Sequence, residues 1–521
     1  MTLREKILKT FVVTIREINT HGGPEAFFAK YPVGGMYFGE AEPLLDENGL
    51  EVGTQTTFEK LNECKKYAPR KLLVCADGAA IRGQCFTADC QRSLGASPDR
   101  LADAYQYGRM IGMQMNDKGI DWVLGPSMDL CFDHAQSLTA ISDSAEVTAG
   151  IYREVIRGIR SQGVCATSKH FPGLGTHPVN MHMAPGQNTM PFDQWMSTYG
   201  HTYQTTIDAG VDCIMTTHIT LRSYDNELHN GFYPIATFSP KLTTELLKEK
   251  LGFPGAVVTD ALIMGGMATG DLIAETVQAF RAGADLLLWP PVEAAEKIEE
   301  LLRSGEIPMS RLDDALTRIA RMEAFRENAL RDDIAEPPDP VFADDFGRSL
   351  TAKAICLLRN DRNLLPLDAS AKPSVLIVDG TDDDDRNSAG FLRDALTRRG
   401  LNVDIQRDIY DVPSRVCWQN DIDALQASYD VVLFNMNTTY GTWSVPLMLI
   451  WASHLFRKEK KIVVNYGSPY FAYDYFPEDP TFIEMNCSPS PDAAEALAAR
   501  LLGEVPFTGH SVLTNPPVLP K

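Results

Sequence analysis

Polar residues that could do chemistry collect at the ends of three apolar runs of the sequence. Asp77 closes the run KLLVCAD, and Asp260 closes GAVVTD. The segment SKHFPGLGTHPVNMH, residues 168–182, contains Lys169, three histidines, two glycines and two prolines. This density of titratable side chains is unusual for a plain connector. The three ends predict a functional site if the fold brings them together.

These residue types suit acid–base and nucleophilic chemistry at a glycosidic bond. Asp260 can supply a carboxylate that attacks the anomeric carbon. His182 can protonate the departing oxygen, because the unperturbed pKa of histidine, about 6.5, lies close to working pH. A carboxylate nucleophile with a separate proton donor is the requirement of a retaining glycosidase.

Simpler interpretations remain open for the same residues. An aspartate at a strand end can be a helix cap or a loop anchor, and a single histidine is often a surface or core residue. Lys169 and His170 could pair with neighbouring acids. The histidines of residues 168–182 could bind a metal, yet the segment has no acidic partner at suitable spacing. We therefore expect neither a metal nor a cofactor.

The elements that must position these residues follow a repeating βα pattern. Eight apolar or β-branched runs are each followed by a segment long enough for a helix, which predicts an α/β fold, a (β/α)8 TIM barrel. An open doubly wound sheet is the alternative, but no Gly-rich phosphate loop accompanies it. The eight runs are residues 10–15, 33–39, 71–78, 121–130, 163–171, 213–221, 255–263 and 284–291.

A second domain is expected after the barrel. Charged residues and closely spaced prolines in RDDIAEPPDPVF indicate a boundary. We predict a catalytic barrel over 1–335, a linker over 336–350 and a smaller C-terminal α/β sandwich domain over 351–521. Five further strand candidates support the last of these, namely AICLLRN, SVLIVDG, LNVDIQR, YDVVLFNMN and KIVVNYG.

Composition excludes several function classes. The net charge of −21 disfavours nucleic acid and anionic membranes as partners. No apolar stretch approaches the roughly 20 residues of a membrane helix, and the N-terminal apolar run is too short for a secretory signal. The ten scattered cysteines suggest reduced, buried thiols. We expect a soluble cytoplasmic protein that acts on a small carbohydrate or glycoconjugate, with a homo-oligomer as one option for its assembly.

Several of these segments together resemble a known family. SKHFPGLG followed by NMH, then DAGVDCIMTTHI, then LGFPGAVVTDALIMGG, are similar to glycoside hydrolase family 3, in particular its NagZ-like β-N-acetylhexosaminidase branch. AKAICLLRNDRNLLPL, residues 352–367, resembles the start of that family's C-terminal α/β domain. The resemblance therefore extends over nearly the whole chain.

The resemblance implies a role for each matching residue. Asp260 falls on the family's nucleophile and His182 on its acid/base histidine. The sugar-binding aspartate falls on Asp77, and the Lys-His pair that binds sugar hydroxyls falls on Lys169 and His170. Two further substrate-binding positions, His218 at the rim of the site and Arg82 after the third strand, complete the set.

The sequence departs from the family at the partner of the acid/base. The family usually has an aspartate two residues before this histidine, and here that position is Asn180, which can accept a hydrogen bond but has no charge. The segment FDHAQSLTAISDS also lacks the family's usual arginine. Three hypotheses follow: hydrolysis of a β-linked N-acetylhexosaminide or related β-glycoside, phosphorolysis with phosphate as acceptor, and an impaired homologue that binds sugar without turnover.

Overall fold

A computed structural model describes most of the chain. The described residues are 1–38, 54–77, 90–132, 140–175, 181–229, 231–267, 269–381, 387–407, 418–437, 450 and 453–515. The chain forms two compact units, each of which gathers separate stretches of sequence. The first comprises residues 1–84, 104–130 and 148–339, and the second comprises residues 85–103, 131–147 and 340–521.

The first unit is built on a parallel sheet of eight strands. Each strand lies within one of the eight predicted runs, and the sheet order is β10-β1-β2-β3-β4-β5-β7-β9. A parallel bridge between Val258 and Leu286 joins the two outermost strands, so the sheet closes as a (β/α)8 barrel. The strands are β1 Phe11–Val13, β2 Gly35–Tyr37, β3 Leu73–Ala76, β4 Trp122–Val123, β5 Cys165–Phe171, β7 Cys213–Thr216, β9 Ala256–Thr259 and β10 Leu287–Leu288.

Helices follow the strands, as the alternating pattern predicts. A short parallel pair, β6 Gly186–Asn188 and β8 Ile219–Leu221, lies outside the barrel sheet. The helices are Leu3–Leu8, Ile15–Thr20, Gly23–Lys30, Thr54–Tyr67, Arg100–Asp117, Ala145–Ser161, Phe192–Trp195, Met196–Gly200, His201–Asp208, Ala236–Phe238, Lys241–Lys250, Leu272–Ala282, Ala294–Ser304 and Met309–Arg331. Met196–Gly200 and Lys241–Lys250 are π-helical, and Ala236–Phe238 is a 3₁₀ turn.

A repeated Gly-x-Asp signature marks the amino-terminal end of the barrel. Each glycine has a positive φ, and each aspartate accepts the backbone N–H of the preceding strand in the sheet and pairs with an arginine. The arrangement stabilises the amino-terminal end of the barrel. Catalytic residues of such barrels lie at the opposite end, where the strands have their carboxyl ends. The sets are Gly119 and Asp121 with Val74 and Arg326, Gly210 and Asp212 with Ala166 and Arg160, and Gly283 and Asp285 with Val257 and Arg311.

The second unit contains a sheet of six strands with helices packed against it. The order is β11-β16-β15-β14-β12-β13, parallel except for the β11–β16 pair. Five strands match the sequence prediction, whereas β16 Thr481–Glu484 is additional. The others are β11 Cys356–Asn360, β12 Ser374–Thr381, β13 Asn402–Gln406, β14 Val431–Asn437 and β15 Lys461–Asn465. The helices are Cys90–Ala96, Pro340–Ala354, Ala369–Ala371, Ser388–Arg398, Trp418–Ala427, Phe471–Asp474 and Pro491–Leu501.

Both faces of this sheet are buried. Val375 and Ile377 of β12 belong to one apolar cluster with the helix Pro491–Leu501, while Leu376 and Val378 belong to another cluster. Successive side chains of one strand therefore pack into two apolar cores, one on each face of the sheet. This is the layer arrangement expected of an α/β sandwich.

The compact units divide the chain differently from the sequence-based domains. Residues 85–103 and 131–147, predicted within the barrel domain 1–335, belong to the second unit. Arg92 donates to the carbonyls of Tyr466 and Gly467, and Ser142 donates to that of Val512. Residues 340–354 form a helix, although 336–350 was predicted as a linker; Pro340 is compatible with a first helical turn.

In the part of the chain that the structure describes, every helix is either too short or too polar to cross a membrane.

Candidate active site

Asp77 and Lys169 form an ion pair at the carboxyl end of the barrel. Asp77 follows β3, and its Oδ1 accepts from Lys169 Nζ of β5 across 2.7 Å. The hydroxyl of Tyr37 donates to Asp77 Oδ2 across 3.0 Å. Burial opposes the charged form of Lys169, but the carboxylates of Asp77, Asp260 and Asp129 outweigh it and raise the pKa of the ammonium group. Lys169 is therefore cationic.

His170 is oriented by a carboxylate that the sequence analysis did not identify. The Nδ1 of His170 lies 2.9 Å from Oδ2 of the fully buried Asp129. Asp129 also accepts from the hydroxyl of Ser127 and the backbone N–H of Leu174. A carboxylate is an acceptor, so Nδ1 must be the protonated nitrogen. The pair fixes both the tautomer and the direction of the ring.

Asp260 lies immediately after β9 and is held by two donors. Its Oδ1 accepts from the backbone N–H of Ala261 across 2.8 Å, and its Oδ2 accepts from the hydroxyl of Thr217 across 2.9 Å. Burial alone would raise the pKa of Asp260. The pKa nevertheless lies below the usual value, because the imidazoles of His170 and His218, the Ala261 N–H and the Lys169 ammonium favour the carboxylate. Asp260 is therefore ionised.

His218 differs from its expected place at the rim of the site. Its side chain is fully buried, with Nδ1 2.9 Å from the Thr237 hydroxyl and Nε2 3.2 Å from the carbonyl oxygen of Ala261. Burial lowers its pKa, so the ring is neutral near pH 7, and Nε2 must donate to the carbonyl. Both ring nitrogens contact protein groups, and Nε2 bonds the residue that follows Asp260.

The segment that carries His182 is bound to the segment that follows Asp260. The backbone N–H of Gly265 donates to the carbonyl of His182 across 2.9 Å, and that of Gly266 donates to Met181 across 3.1 Å. The Met181 side chain is buried in the barrel core, whereas that of His182 is exposed. His182 is therefore anchored by its backbone with its ring towards solvent.

The other predicted positions lie outside the described residues. Arg82 and Asn180 both belong to stretches that the structure does not describe. Of the eight residues singled out from the sequence, Asp77, Lys169, His170 and Asp260 form one group connected by hydrogen bonds or electrostatic contacts. His182 and His218 lie on two other segments, and each contacts the residues that directly follow Asp260.

Three participating residues were missed by sequence reasoning. Tyr37, Asp129 and Thr217 contact Asp77, His170 and Asp260 respectively. Tyr37 and Asp129 lie near the carboxyl ends of predicted strand runs, which was a usable signal, whereas Thr217 lies in the middle of the run 213–221 and directly after the observed strand β7. Tyrosine, aspartate and threonine are common in structural roles, so only their contacts in the fold distinguish these three from other residues of the same kind.

Two glutamates and a histidine form a further cluster of titratable groups. Ligand atoms of Glu17, His21 and Glu293 lie within 4.8 Å of one another. The His21 ring contacts the Glu17 carbonyl through Nδ1 and the Glu293 carboxylate through Nε2. The backbone contact with Glu17 is the main cause of the raised pKa of His21. Hydrogen bonds and ion pairing account for this cluster.

Comparisons with known proteins concern both sequence and structure. Residues 2–322 match the model described as the glycosyl hydrolase family 3 N terminal domain. A beta-N-acetylglucosaminidase/beta-glucosidase from Cellulomonas fimi is 28% identical over 435 residues, covering 77% of this chain and 76% of that protein. A beta-hexosaminidase from Xanthomonas campestris pv. campestris is 28% identical over 233 residues, covering 42% of this chain and 68% of that protein.

Solved structures share the fold at low identity. A glycoside hydrolase family 3 beta-N-acetylglucosaminidase from Paenibacillus sp. str. FPU-7 matches with a TM-score of 0.78 and 21% identity, covering 100% of both chains. The beta-glucoside phosphorylase BglX matches with a TM-score of 0.80 and 20% identity, covering 98% of this chain and 94% of that one. At such identities the structural likeness concerns the fold alone.

Proposed function

The chain belongs to glycosyl hydrolase family 3, and from this premise we propose a retaining hydrolase of β-linked N-acetylhexosaminides or related β-glycosides. In this proposal Asp260 is the nucleophile and His182 is the acid/base. The names of the sequence relatives support the substrate class, because they include beta-N-acetylglucosaminidase and beta-hexosaminidase.

The observation that carries the proposal is the state of Asp260. A nucleophile for this reaction must be an anionic carboxylate with a fixed orientation, at the barrel end where active sites occur. Asp260 meets these requirements, since two donors hold it and the surrounding positive charge lowers its pKa.

The reaction then proceeds in two displacements. In the first, a carboxylate oxygen of Asp260 bonds to the anomeric carbon while the glycosidic C–O bond breaks and His182 protonates the leaving oxygen. In the second, water attacks the same carbon, His182 takes the proton of that water, and the bond to Asp260 breaks. Two inversions at one carbon leave the β configuration retained.

The group around Lys169 supports a role in sugar binding. Lys169 and His170 are donors, and Asp77 is an acceptor, so together they match the mixed donor and acceptor pattern of sugar hydroxyls. Asp77 and Lys169 are only partly buried, with side-chain exposures of 32% and 17%. Both therefore have surface available to a ligand. Arg82 and Asn180 are further proposed contacts from the sequence, at the sugar and at His182 respectively.

A covalent trap tests the nucleophile. The protein is incubated with a 2-fluoro β-glycoside that has a good leaving group, then digested, and the labelled peptide is identified by mass spectrometry. The label is expected on Asp260 and absent from Asp260→Asn. Asp193→Asn, which changes an exposed carboxylate, should retain labelling. A label on any other residue of active wild-type protein overturns the assignment.

Product analysis separates hydrolysis from its alternatives. Nitrophenyl β-N-acetylglucosaminide, β-glucoside and β-galactoside are supplied with and without phosphate. Free sugar is expected in both conditions. Sugar 1-phosphate would instead support phosphorolysis, which a neutral Asn180 favours because it repels phosphate less than aspartate does. Sugar binding without either product would support the impaired homologue.

We also propose a reducing, cytoplasmic location. The seven cysteines whose side chains the structure describes are all buried and free of disulfides, which is typical of a reducing compartment. Cell fractionation with a tagged chain tests this, and sedimentation of the purified protein tests whether it is a homo-oligomer.

A further inference from the structure

Thr217 lies between the two segments that bear the proposed nucleophile and acid/base. It follows β7 directly, is fully buried, and donates its backbone N–H to the carbonyl of Phe171 across 2.9 Å. The N–H of Asp260 donates to the carbonyl of Thr216 across 2.8 Å. Backbone hydrogen bonds on both sides therefore fix the position of the Thr217 side chain relative to Asp260.

The hydroxyl of Thr217 has two acceptors for one proton. Its Oγ1 lies 2.9 Å from Asp260 Oδ2 and 2.7 Å from Met181 Sδ. A hydroxyl donates one hydrogen bond at a time, and a carboxylate is a far stronger acceptor than a thioether. While Asp260 is an anion, the proton therefore points to Oδ2 and away from the sulfur.

We propose that Thr217 is a positioning residue whose hydroxyl holds the Asp260 carboxylate for attack and turns towards Met181 Sδ when that carboxylate becomes an ester. The inference rests on the proposed function of Asp260. Together with the Ala261 N–H on Oδ1, it gives each carboxylate oxygen one donor. Two donors restrict the rotation of the carboxylate about its Cβ–Cγ bond.

The change of partner follows from the reaction itself. When a lone pair of Asp260 forms the bond to the anomeric carbon, the negative charge on the carboxylate is lost and both oxygens become weaker acceptors. No proton is transferred from Thr217; only its hydrogen bond changes. Met181 then offers an alternative acceptor, and it precedes His182, whose carbonyl is bound by Gly265.

Removal of the hydroxyl supplies the test. Thr217→Val keeps the shape and removes the donor, so the pKa of Asp260 should rise and the acid limb of the kcat/KM profile should move to higher pH. The rate of labelling by the 2-fluoro glycoside should fall by about tenfold to a hundredfold, the range for a hydrogen bond to a charged group. Thr217→Ser should restore both to within a few fold.

The other titratable groups near Asp260 are unchanged in these variants. They are Lys169 and His170 from β5, which pair with Asp77 and Asp129, together with His218 after β7 and His182. A moved acid limb in Thr217→Val therefore reports the lost hydroxyl.

The control is a second buried threonine near a barrel strand. Thr10 precedes β1, is fully buried, and donates to the carbonyl of Ile7 across 2.8 Å. Thr10→Val should lower thermal stability without moving the acid limb, which separates a structural hydroxyl from a positioning one. Thr217→Cys, which keeps a weak donor, should give an intermediate shift and serves if the valine variant does not fold.

Met181→Leu tests the second acceptor. It keeps the volume but removes the sulfur, so labelling should stay near the wild-type rate while the labelled enzyme regains activity at a changed rate. The positioning role of Thr217 is overturned if folded Thr217→Val has the wild-type acid limb and the wild-type labelling rate. The turn of the hydroxyl towards Met181 is overturned if labelled Met181→Leu regains activity at the wild-type rate. Absence of any label on Asp260 in wild-type protein would instead refute the proposed function.

Discussion

The backbone N–H of Gly265 donates to the carbonyl oxygen of His182 across 2.9 Å. Gly265 lies five residues after Asp260, so one short segment both begins with the proposed nucleophile and holds the backbone of the proposed acid/base. The contact requires glycine, because a Cβ at Gly265 would lie 2.9 Å from that same carbonyl oxygen. Backbone contact therefore helps to set the spacing of the proposed catalytic pair.

The neighbouring Gly266 provides a test of this spacing. A Cβ there would lie 2.3 Å from the carbonyl oxygen of Met181, so Gly266→Ala must displace the segment that carries His182. We expect kcat to fall by about tenfold to a hundredfold on alkyl glycosides, which need general acid catalysis, and much less on nitrophenyl glycosides.

The matched control for that variant is Gly347→Ala. Gly347 lies in the helix Pro340–Ala354 with open space around its Cβ direction, so alanine should leave kcat unchanged and stabilise the protein slightly. Equal losses on both classes of glycoside in Gly266→Ala would contradict a specific effect on His182.

Lys169 should control the acid limb of activity. Its ammonium is one of the charges that lower the pKa of Asp260, so Lys169→Met should raise that pKa and move the acid limb of kcat/KM to higher pH. KM should also rise, because the variant loses a donor to the sugar. Lys241→Met, which changes a lysine paired with the exposed Glu227, should leave the profile in place. An unmoved acid limb in Lys169→Met would show that its charge does not act on Asp260.

The amino-terminal end of the barrel should be sensitive to loss of a buried charge. Asp285 is fully buried and contacts Lys248, Arg311 and the backbone N–H of Val257. Asp285→Ala removes the buried carboxylate and leaves Lys248 and Arg311 with the more exposed Asp314 as their remaining shared partner, so we expect the free energy of unfolding to fall by up to about 3 to 5 kcal/mol. Urea unfolding of this variant measures the change.

Asp313→Ala is the control, because that carboxylate is exposed and should change the free energy of unfolding by less than about 0.5 kcal/mol. Adding Lys248→Met to Asp285→Ala should recover part of the loss, since it removes a buried cation that has lost one of its two carboxylate partners. A double variant no more stable than Asp285→Ala would refute the charge explanation.

Glu484 should make the second unit less stable as pH rises. Burial raises its pKa from 4.5 to about 7, and among the residues that the structure describes its Oε2 has no hydrogen-bond partner. The folded state therefore holds a proton that the unfolded chain releases near pH 4.5, so stability is lost as pH rises through about 7. Glu484→Gln should be more stable than wild type by about 1 to 3 kcal/mol at pH 8 and little different at pH 4.5.

Unfolding of the second unit, followed by urea titration at each pH, provides the measurement. Glu459→Gln changes an exposed carboxyl of the same unit and should show no such pH dependence. If Glu484→Gln and wild type differ equally at both pH values, the carboxyl does not titrate as stated.

The βα pattern allowed much of the fold to be predicted from sequence. All eight barrel strands lie within the predicted runs, because strand and helix periodicities are local properties of the chain. The strand Thr481–Glu484 was missed, since four residues give too short a pattern. The assignment of residues 85–103 and 131–147 to the second unit was also missed, because it depends on contacts such as Arg92 with Gly467 that join residues far apart in sequence.

The sequence by itself determined the residue types that could react and the strand ends on which they lie, namely Asp77, Lys169, His170 and Asp260. Only the tertiary structure decided their state. The pairing of neighbouring strands brings Thr217 to Asp260 and Asp129 to His170, and His218 is buried. Charge, tautomer and orientation depend on distances between strands, which no local pattern encodes.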